Sequence, residues 1–366
     1  MKLNLSREAL LTPLQKVIGA VERKQTMPAL SNVLIKANAG DVTITATDLE
    51  IELVANSVMP VDQDGDITLP ARKLLDICKN LPDGADIALL VDADKATISS
   101  GRSRFKLSTL PAADFPALED IQVNSSFTIP QATLRKVIEK TAFAMAQQDV
   151  RYYLNGLMLE LSGSMVRAVA TDGHRLALCE TDAGINVPES RQVIIPRKGV
   201  LELMRMLDTA DADANVSLSS NHIRVDMGAL RFTSKLIDGR FPDYQRVMPV
   251  DGDKIVTTDK QDLRLALTRT SILSNEKYKG VRLSAEANIL KIQTNNPEQE
   301  EAEEELEVQY DSDQIEIGFN VNYMLDVLNS IEEDTVTIEL KDSNSSCLVQ
   351  EAGAQTAKYV IMPMRL

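Results

Sequence analysis

The sequence contains few of the residues and patterns on which common protein chemistries depend. It has no tryptophan, two histidines and three cysteines among 366 residues. Cys78, Cys179 and Cys347 stand far apart without a Cys-x-x-Cys pair, so we expect buried thiols in a reducing compartment rather than a disulfide or zinc framework. No run approaches the ~18 apolar residues of a membrane span, and the charged N-terminal segment is unlike a signal peptide. These absences predict a cytoplasmic protein.

Catalytic motifs are equally scarce. The chain has no Gly-rich phosphate loop, no Gly-x-Ser-x-Gly and no His-Glu-x-x-His. His174 follows Asp172 by two residues, and such a pair can act as acid and base. The competing interpretation is a tight turn between two strands, since Asp172-Gly173 is a strong turn signal. We therefore expect no catalysis, cofactor or metal, with an enzyme using Asp172 and His174 as the alternative.

A threefold internal repeat is the strongest positive feature of the sequence. Alternating apolar residues lead into Thr47, Thr171 and Thr294, which are spaced by roughly one domain length of ~120 residues. Only the middle copy continues with Gly-His-Arg. The repeat predicts an α+β chain of three related domains, at residues 1–124, 125–250 and 251–366.

Each third of the chain shows two amphipathic helices separated and followed by strands. Ser6 and Asp259 are suited to cap the first helix of the first and last thirds. Apolar residues recur at helical spacing in every one of these segments. The predicted helices cover about 7–18, 70–81, 129–140, 195–207, 260–270 and 319–329.

The charges are unevenly distributed. The formal net charge of −15 alone disfavours a nucleic-acid partner, and seven glutamates lie within residues 298–307. A solvated face would explain basic residues on one helix, but their recurrence in related domains suggests a shared surface that follows a phosphate backbone without reading sequence. These residues, mostly outside the apolar stripes, are Lys16, Arg72, Lys73, Arg135, Lys136, Lys140, Arg197, Lys198, Arg205, Lys260, Arg264 and Arg269.

The C-terminal segment Met362-Pro-Met-Arg-Leu366 is unusually apolar. Such a segment either packs against the core or forms part of a groove for a partner. Methionine side chains are adaptable and suit a groove that accepts several peptides. The residues alone leave both interpretations open.

Seven segments together resemble one family, the bacterial sliding clamp, which is the beta subunit of DNA polymerase III. The resemblance spans the whole chain, and the threefold repeat agrees with it. It implies three DNA-clamp domains with helices inside and antiparallel sheets outside, which form half of a homodimeric ring around duplex DNA. The segments are residues 99–105, 148–156, 170–176, 232–236, 238–244, 295–300 and 359–366.

The resemblance also implies roles for individual residues. Lys24 stands where the family often has arginine, and Tyr278 and Asn344 stand where a relative has Phe and an apolar residue. The implied DNA contacts are Lys24, Arg72, Gln148, Tyr152, Tyr153, Arg197 and Lys198. The implied partner-peptide groove, between the second and third domains, comprises Arg151, Leu154, Thr171, Gly173, His174, Arg175, Leu176, Pro242, Arg246, Val247, Asn320, Tyr323, Ser346, Val360, Met362, Pro363, Met364 and Arg365. The implied dimer interface comprises Lys73, Arg102, Arg104, Phe105, Leu107, Ile272, Leu273, Glu298, Glu300 and Glu301.

The family's function is to keep replication enzymes on DNA, without chemistry of its own. The implied partners are double-stranded DNA of any sequence, a second copy of the chain, the polymerase III catalytic subunit and an ATP-dependent clamp loader. Other polymerases, ligase and mismatch-repair proteins are further implied partners. The implied location is the cytoplasm, at the nucleoid, with no membrane partner. A scaffold that binds DNA without encircling it is the second alternative.

Overall fold

The computed structural model describes residues 1–22, 27–116, 118, 121–210, 212–353 and 356–365. The chain forms two compact units. One contains Met1–Ala132 and Lys198–Leu236, and the other contains Thr133–Arg197 and Ile237–Leu366. Within the described ranges, no helix combines the length and the hydropathy needed to cross a membrane.

All six predicted helices are confirmed, with ends shifted by at most two residues. The Ser6 hydroxyl accepts a hydrogen bond from the Ala9 N–H, and the Asp259 carboxylate accepts one from the Asp262 N–H, so both predicted caps form. The helices are α1 (Arg7–Val17), α2 (Ala71–Asn80), α3 (Gln131–Glu139), α4 (Arg197–Met206), α5 (Lys260–Ser271) and α6 (Val321–Ser330).

Strands make up most of the remaining chain. In order they are β1 (Lys2–Ser6), β2 (Asn32–Asn38), β3 (Asp41–Thr47), β4 (Ile51–Val58), β5 (Val61–Gln63), β6 (Gly65–Pro70), β7 (Asp86–Asp92), β8 (Lys95–Ser100), β9 (Ser103–Ser108), β10 (Ser125–Pro130), β11 (Gly156–Thr171), β12 (Arg175–Pro196), β13 (Asp213–Leu218), β14 (His222–Met227), β15 (Leu230–Lys235), β16 (Lys254–Asp259), β17 (Gly280–Glu286), β18 (Ile289–Asn295), β19 (Glu301–Glu307), β20 (Ile315–Asn320), β21 (Thr335–Leu340), β22 (Cys347–Glu351) and β23 (Ala357–Ile361).

The first unit contains two antiparallel sheets. Their strand orders are β5-β1-β7-β8-β9 and β10-β13-β14-β15-β4-β3-β2-β6. The second of these sheets is continuous because β15 pairs with β4, with Thr233 opposite Glu52. Helices α1 and α2 pack against each other, and their buried sides carry Leu10, Leu14, Leu74 and Cys78.

The second unit also contains two antiparallel sheets. Their orders are β11-β12-β23-β22-β21-β16 and β19-β18-β17-β20. The long hairpin β11–β12 joins β23 through the pairing of Arg175–Cys179 with Ala357–Ile361. Residues that are remote in sequence therefore become neighbours on one sheet, and α5 packs against α6 in the same unit.

The predicted turn after the repeated threonine forms in two of the three copies. The Thr171 hydroxyl donates to the Arg175 carbonyl at 2.6 Å, and the Thr47 hydroxyl donates to the Ile51 carbonyl at 2.7 Å. Thr294 also lies near the end of a hairpin strand, opposite Ala302, but its hydroxyl donates to the Gly280 carbonyl on the neighbouring strand, so the turn that follows is different. The third copy has Asn295 where the others have the aspartate that organises the turn.

The three cysteines are buried free thiols, as predicted. Burial raises the pKa of both Cys78 and Cys179 to about 11. The same cause raises the pKa of Cys347 to about 12. The thiolate fraction at neutral pH is therefore very small.

The prediction that Lys140 faces outward is wrong. Its side chain is 6% exposed and its ammonium lies 2.9 Å from a carboxylate oxygen of Glu351, which is equally buried. The ammonium also donates to the Ser330 carbonyl at 2.7 Å and lies 3.2 Å from Glu332. Burial of both ions is tolerable because each is paired and hydrogen-bonded.

We expect Lys140→Ala to lower the free energy of unfolding by about 3 kcal/mol, because it leaves the Glu351 carboxylate buried without its cation. Urea unfolding monitored by circular dichroism would measure the change. Lys136→Ala is the matched control, since Lys136 is 55% exposed and lies 3.5 Å from Glu332. An exposed pair contributes less than ~1 kcal/mol, so equal losses in the two variants would contradict the prediction.

Candidate functional sites

An apolar cluster underlies one face of the sheet that contains β12, β23 and β22. Leu176, Val360 and Leu348 lie side by side across these three strands. The loop after β15 contributes Phe241 and Tyr244 to the same cluster. The implied groove residues Leu176 and Val360 therefore belong to one apolar floor, although they are far apart in the sequence.

A short turn and the C-terminal segment form the rim beside this floor. The Asp172 carboxylate accepts hydrogen bonds from the backbone N–H groups of His174 and Arg175 at 2.9 and 3.0 Å. Gly173 has φ of +88°, which favours glycine at this position. The Met362 N–H donates to the His174 carbonyl at 2.9 Å, and the Met364 N–H donates to the Gly318 carbonyl at 2.7 Å. The backbone thus holds the C-terminal segment in place while 40% of Met362 stays exposed.

Arg175 connects the turn to α6. Its guanidinium donates to Asp172 at 3.1 Å, to Asp326 at 2.5 Å and to the Phe143 carbonyl at 3.0 Å. It also lies 4.6 Å from the centroid of the Tyr323 ring. With its side chain 11% exposed, Arg175 shapes the rim and has few donors left for a ligand.

The other implied groove residues surround the floor to different degrees. Leu154 is buried, so it supports the site from within. Arg151 packs on the turn, with its guanidinium paired to Asp149 at 2.9 Å. Asn320 caps α6 through the Asn322 N–H, and the His174 ring stacks on Tyr323. Those exposed are Pro242, Arg246, Val247 and Arg365, and those half-buried are Ser346, Pro363 and Met364.

A charged network fixes Tyr244 from beneath. Arg167 donates to the Tyr244 hydroxyl and to Glu160, both at 2.7 Å, and it also pairs with Glu180. The Tyr244 hydroxyl donates to Glu160 at 2.9 Å. Burial acts to raise the pKa of Glu160, but hydrogen bonds from Gln192, Arg167 and Tyr244 hold that pKa below its usual value. The wall of the groove is therefore rigidly supported.

The geometry does not favour the acid–base pair. The Asp172 carboxylate is occupied by two backbone N–H groups and by Arg175. The His174 ring stacks on Tyr323 at 6.4 Å between centroids. Among the residues the structure describes, no group of His, Cys, Asp and Glu is arranged to hold a metal ion.

The implied DNA contacts of the second unit lie mainly on one loop. The Asn155 side chain accepts from the Asp149 N–H and donates to the Asp149 carbonyl, both at 2.9 Å, which closes the loop. Tyr152 is 58% exposed and Gln148 is also exposed, whereas Tyr153 is partly buried against the apolar cluster. Arg197 donates to the Met145 carbonyl, and burial lowers its pKa.

The implied DNA contacts of the first unit differ in availability. Arg72 is exposed and donates to the Val21 carbonyl at 3.1 Å. Lys198 pairs with Asp48 and with Glu22, so part of its charge is neutralised within the chain. Lys24 lies outside the described residues.

Two edge strands carry opposite charges. Strand β9 ends its sheet and presents Arg104 and Lys106, and Arg102 is exposed in the turn just before it. Strand β19 ends another sheet and presents glutamates at alternate positions. An edge strand leaves backbone groups free for pairing.

The implied dimer-interface residues lie on or near these edges. Lys73, Glu298, Glu300 and Glu301 are exposed. Ile272 is 77% exposed, while Phe105 and Leu273 are half-buried. Leu107 is already buried in the single chain, so it has little surface left to contribute.

Sequence reasoning missed several residues that build these sites. Phe241 and Tyr244 stood in a segment noted only for its resemblance, and Leu348 stood in a predicted strand without a role. Phe143 and Asp326 carried no signal, since their importance comes from contacts with Arg175. Of these residues, only Phe241 and Tyr244 gave a signal in the sequence, as aromatic residues in an otherwise polar loop.

Models of three domain families match the chain in succession. They are described as the N-terminal, central and C-terminal domains of the DNA polymerase III beta subunit, and they match residues 1–119, 128–243 and 245–365.

Full-length relatives match as well. The beta sliding clamp of Pseudomonas aeruginosa is 55% identical and that of Escherichia coli is 52% identical, each over 100% of both chains.

Solved structures of such proteins resemble this chain throughout. The P. aeruginosa DNA polymerase III subunit beta has a TM-score of 0.97 at 54% identity. The P. aeruginosa sliding clamp bound to griselimycin has a TM-score of 0.97 at 55% identity. The Caulobacter crescentus polymerase III beta has a TM-score of 0.93 at 40% identity. Each of these three comparisons covers 100% of both chains.

Proposed function

The chain belongs to the family of DNA polymerase III beta subunits, the beta sliding clamps, and we propose that it is the processivity factor of a replicative polymerase. As a ring of two copies it encircles duplex DNA and tethers other proteins through the groove of the second unit. The observation that carries this proposal is the agreement of all three domains, in order and over the full length, with that family.

The groove supports the proposed tethering. Its floor consists of Leu176, Val360 and Leu348. Its rim is held by the Asp172 and Arg175 side chains together with backbone hydrogen bonds of the C-terminal segment. A preformed apolar site binds a short peptide segment with little ordering cost. A sliding clamp of P. aeruginosa at 55% identity has been solved with griselimycin bound, and we propose that the same compound binds this groove.

The proposed DNA contact is weak and independent of sequence. Arg72 and Lys198 would attract phosphates through charge, while Gln148 and Tyr152 would make polar and stacking contacts. Several of the cations are already paired within the chain, which limits the strength of phosphate binding. Loose contacts permit sliding, and enclosure by the ring prevents loss.

The proposed ring joins β9 of one copy to β19 of the other. Their opposite charges steer the edges together, and the backbone groups of two edge strands can then pair. Ile272 would lose exposed apolar surface at this joint. The proposed domain boundaries remain 1–124, 125–250 and 251–366.

The proposed partners follow from this role. They are double-stranded DNA, the polymerase III catalytic subunit, an ATP-dependent clamp loader, other polymerases, ligase and mismatch-repair proteins. The chain itself would catalyse no reaction, and it would act in the cytoplasm at the nucleoid. Lysine at position 24, Tyr278 and Asn344 would tune individual contacts.

Retention on DNA should depend on topology. The chain would be loaded on nicked circular DNA with a clamp loader and ATP, isolated by gel filtration, and the circle then cut once. We expect the protein to remain on the intact circle and to leave after cutting, because only enclosure holds it. Retention on the cut DNA would instead support the scaffold that does not encircle DNA.

Charge reversal at the joint should weaken self-association. We expect Arg104→Glu to raise the dimer dissociation constant by about tenfold, since it places like charges opposite each other, with a larger effect at low salt. Sedimentation velocity at nanomolar concentration would measure it. The double variant Arg104→Glu/Glu301→Arg should recover part of the loss, and Lys36→Glu, at an exposed position on β2, should change nothing. An unchanged dimer in Arg104→Glu would contradict the proposed joint.

A charge in the groove should remove ligand binding without affecting the dimer. We expect Met362→Asp to weaken griselimycin binding by about tenfold or more, because an apolar contact is replaced by a carboxylate. Fluorescence polarisation with a labelled polymerase peptide should show the same loss. Val58→Asp is the control, since Val58 is 87% exposed on the other unit. Equal affinities for Met362→Asp and wild type would place the ligand elsewhere.

A further inference from the structure

The first unit contains a second copy of the backbone that forms the groove. Thr47, Asp48 and Ile51 repeat the hydrogen bonds of Thr171, Asp172 and Arg175. The threonine hydroxyl donates to the carbonyl four residues later at 2.7 and 2.6 Å. The aspartate accepts from the backbone N–H of that same residue at 2.7 and 3.0 Å.

The correspondence extends to the neighbouring strand. The Lys235 N–H donates to the Glu50 carbonyl at 2.8 Å, as the Met362 N–H donates to the His174 carbonyl at 2.9 Å. Leu49 has φ of +77° where Gly173 has +88°. The two units therefore share the same turn and the same backbone hydrogen bond from a neighbouring segment to that turn.

The side chains on this shared backbone differ in polarity. In the second unit the cross-strand row on the groove face is Leu176, Val360 and Leu348. In the first unit the matching row, through β4, β15 and β14, is Glu52, Thr233 and Arg224. Three apolar positions are thus replaced by an acid, a hydroxyl and a base.

The polar row has partners within the first unit. Burial raises the pKa of Glu52, and the Leu118 backbone and the positive charges of Arg224 and Arg231 oppose that rise. Arg224 donates to the Thr233 hydroxyl at 3.4 Å. An apolar ligand placed here would cover the half-buried Glu52 carboxylate and the Arg224 guanidinium without offering them hydrogen bonds, which is costly.

We infer that the row Glu52–Thr233–Arg224 is the specificity determinant that prevents the first unit's copy from accepting an apolar ligand. The inference rests on the proposed function, in which the second unit's groove binds such a ligand. The backbone of the groove thus occurs twice in each chain. The polar row in the first unit restricts binding of an apolar ligand to the second unit.

The test replaces the polar row by its apolar counterpart in the full chain. Titration calorimetry with griselimycin should give one binding site per chain for wild type and two for Glu52→Leu/Thr233→Val/Arg224→Leu. We expect the second site to be about tenfold weaker than the first, because the rest of its wall is not optimised. In a Met362→Asp background, the triple variant should keep only the new site.

One control tests whether the polarity of the row, rather than its shape, excludes the ligand. The other outcomes distinguish failure of the inference from failure of the proposed groove. Glu52→Gln/Arg224→Gln keeps polar groups in the row and should still show one site. A folded triple variant with one site overturns the inference and leaves the proposed groove intact. Wild type that binds no griselimycin refutes the proposed groove, and the inference with it. If the triple variant does not fold, the same titration is made with Glu52→Leu/Thr233→Val. Two binding sites per chain would then support the inference, and one site would contradict it.

Discussion

The groove of the second unit depends on a single backbone ladder, the pairing of Arg175–Cys179 with Ala357–Ile361. This ladder places Leu176 beside Val360 and brings the C-terminal segment against the turn at residues 171–175. Side-chain contacts refine the site, but backbone hydrogen bonds set its geometry. Since such bonds do not depend on residue type, the same geometry recurs in the first unit with a different row of side chains.

The positions of several cations in this chain are explained by their ion-pair partners rather than by the helix face on which they lie. Lys140 and Lys198 lie at or just beyond a helix and Arg175 begins a strand, yet each is held by carboxylates of its own unit. These ion pairs hold helices against sheets. Where the local dielectric constant is low, breaking such a pair costs more free energy because a charge loses its partner. Exposed cations such as Arg72 and Arg104 remain for intermolecular contacts. The net charge of −15 therefore says little about any one surface.

Features that depend on local sequence were predictable, and those that depend on distant partners were not. The helices follow from apolar spacing and caps such as Ser6 and Asp259, which act over one turn. The burial of Lys140 depends on Glu351, 211 residues further along the chain, and no local pattern reports it. The turn at Thr171 was predictable from Asp172-Gly173. The different turn after Thr294, where Asn295 replaces the aspartate, shows that the aspartate matters more than the threonine. The groove residues came from a family resemblance, and their grouping around one floor came from strand pairing.

The opposite signs of strands β9 and β19 also determine the polarity of an assembly. A basic edge repels its own copy, and so does an acidic edge, so the proposed joint pairs unlike edges. A closed pair built from unlike edges is related by an axis through its centre, and that rotation never turns a chain over. In the proposed ring, the grooves of the two copies would be related by this rotation alone. The proposed ring would then have two distinct faces.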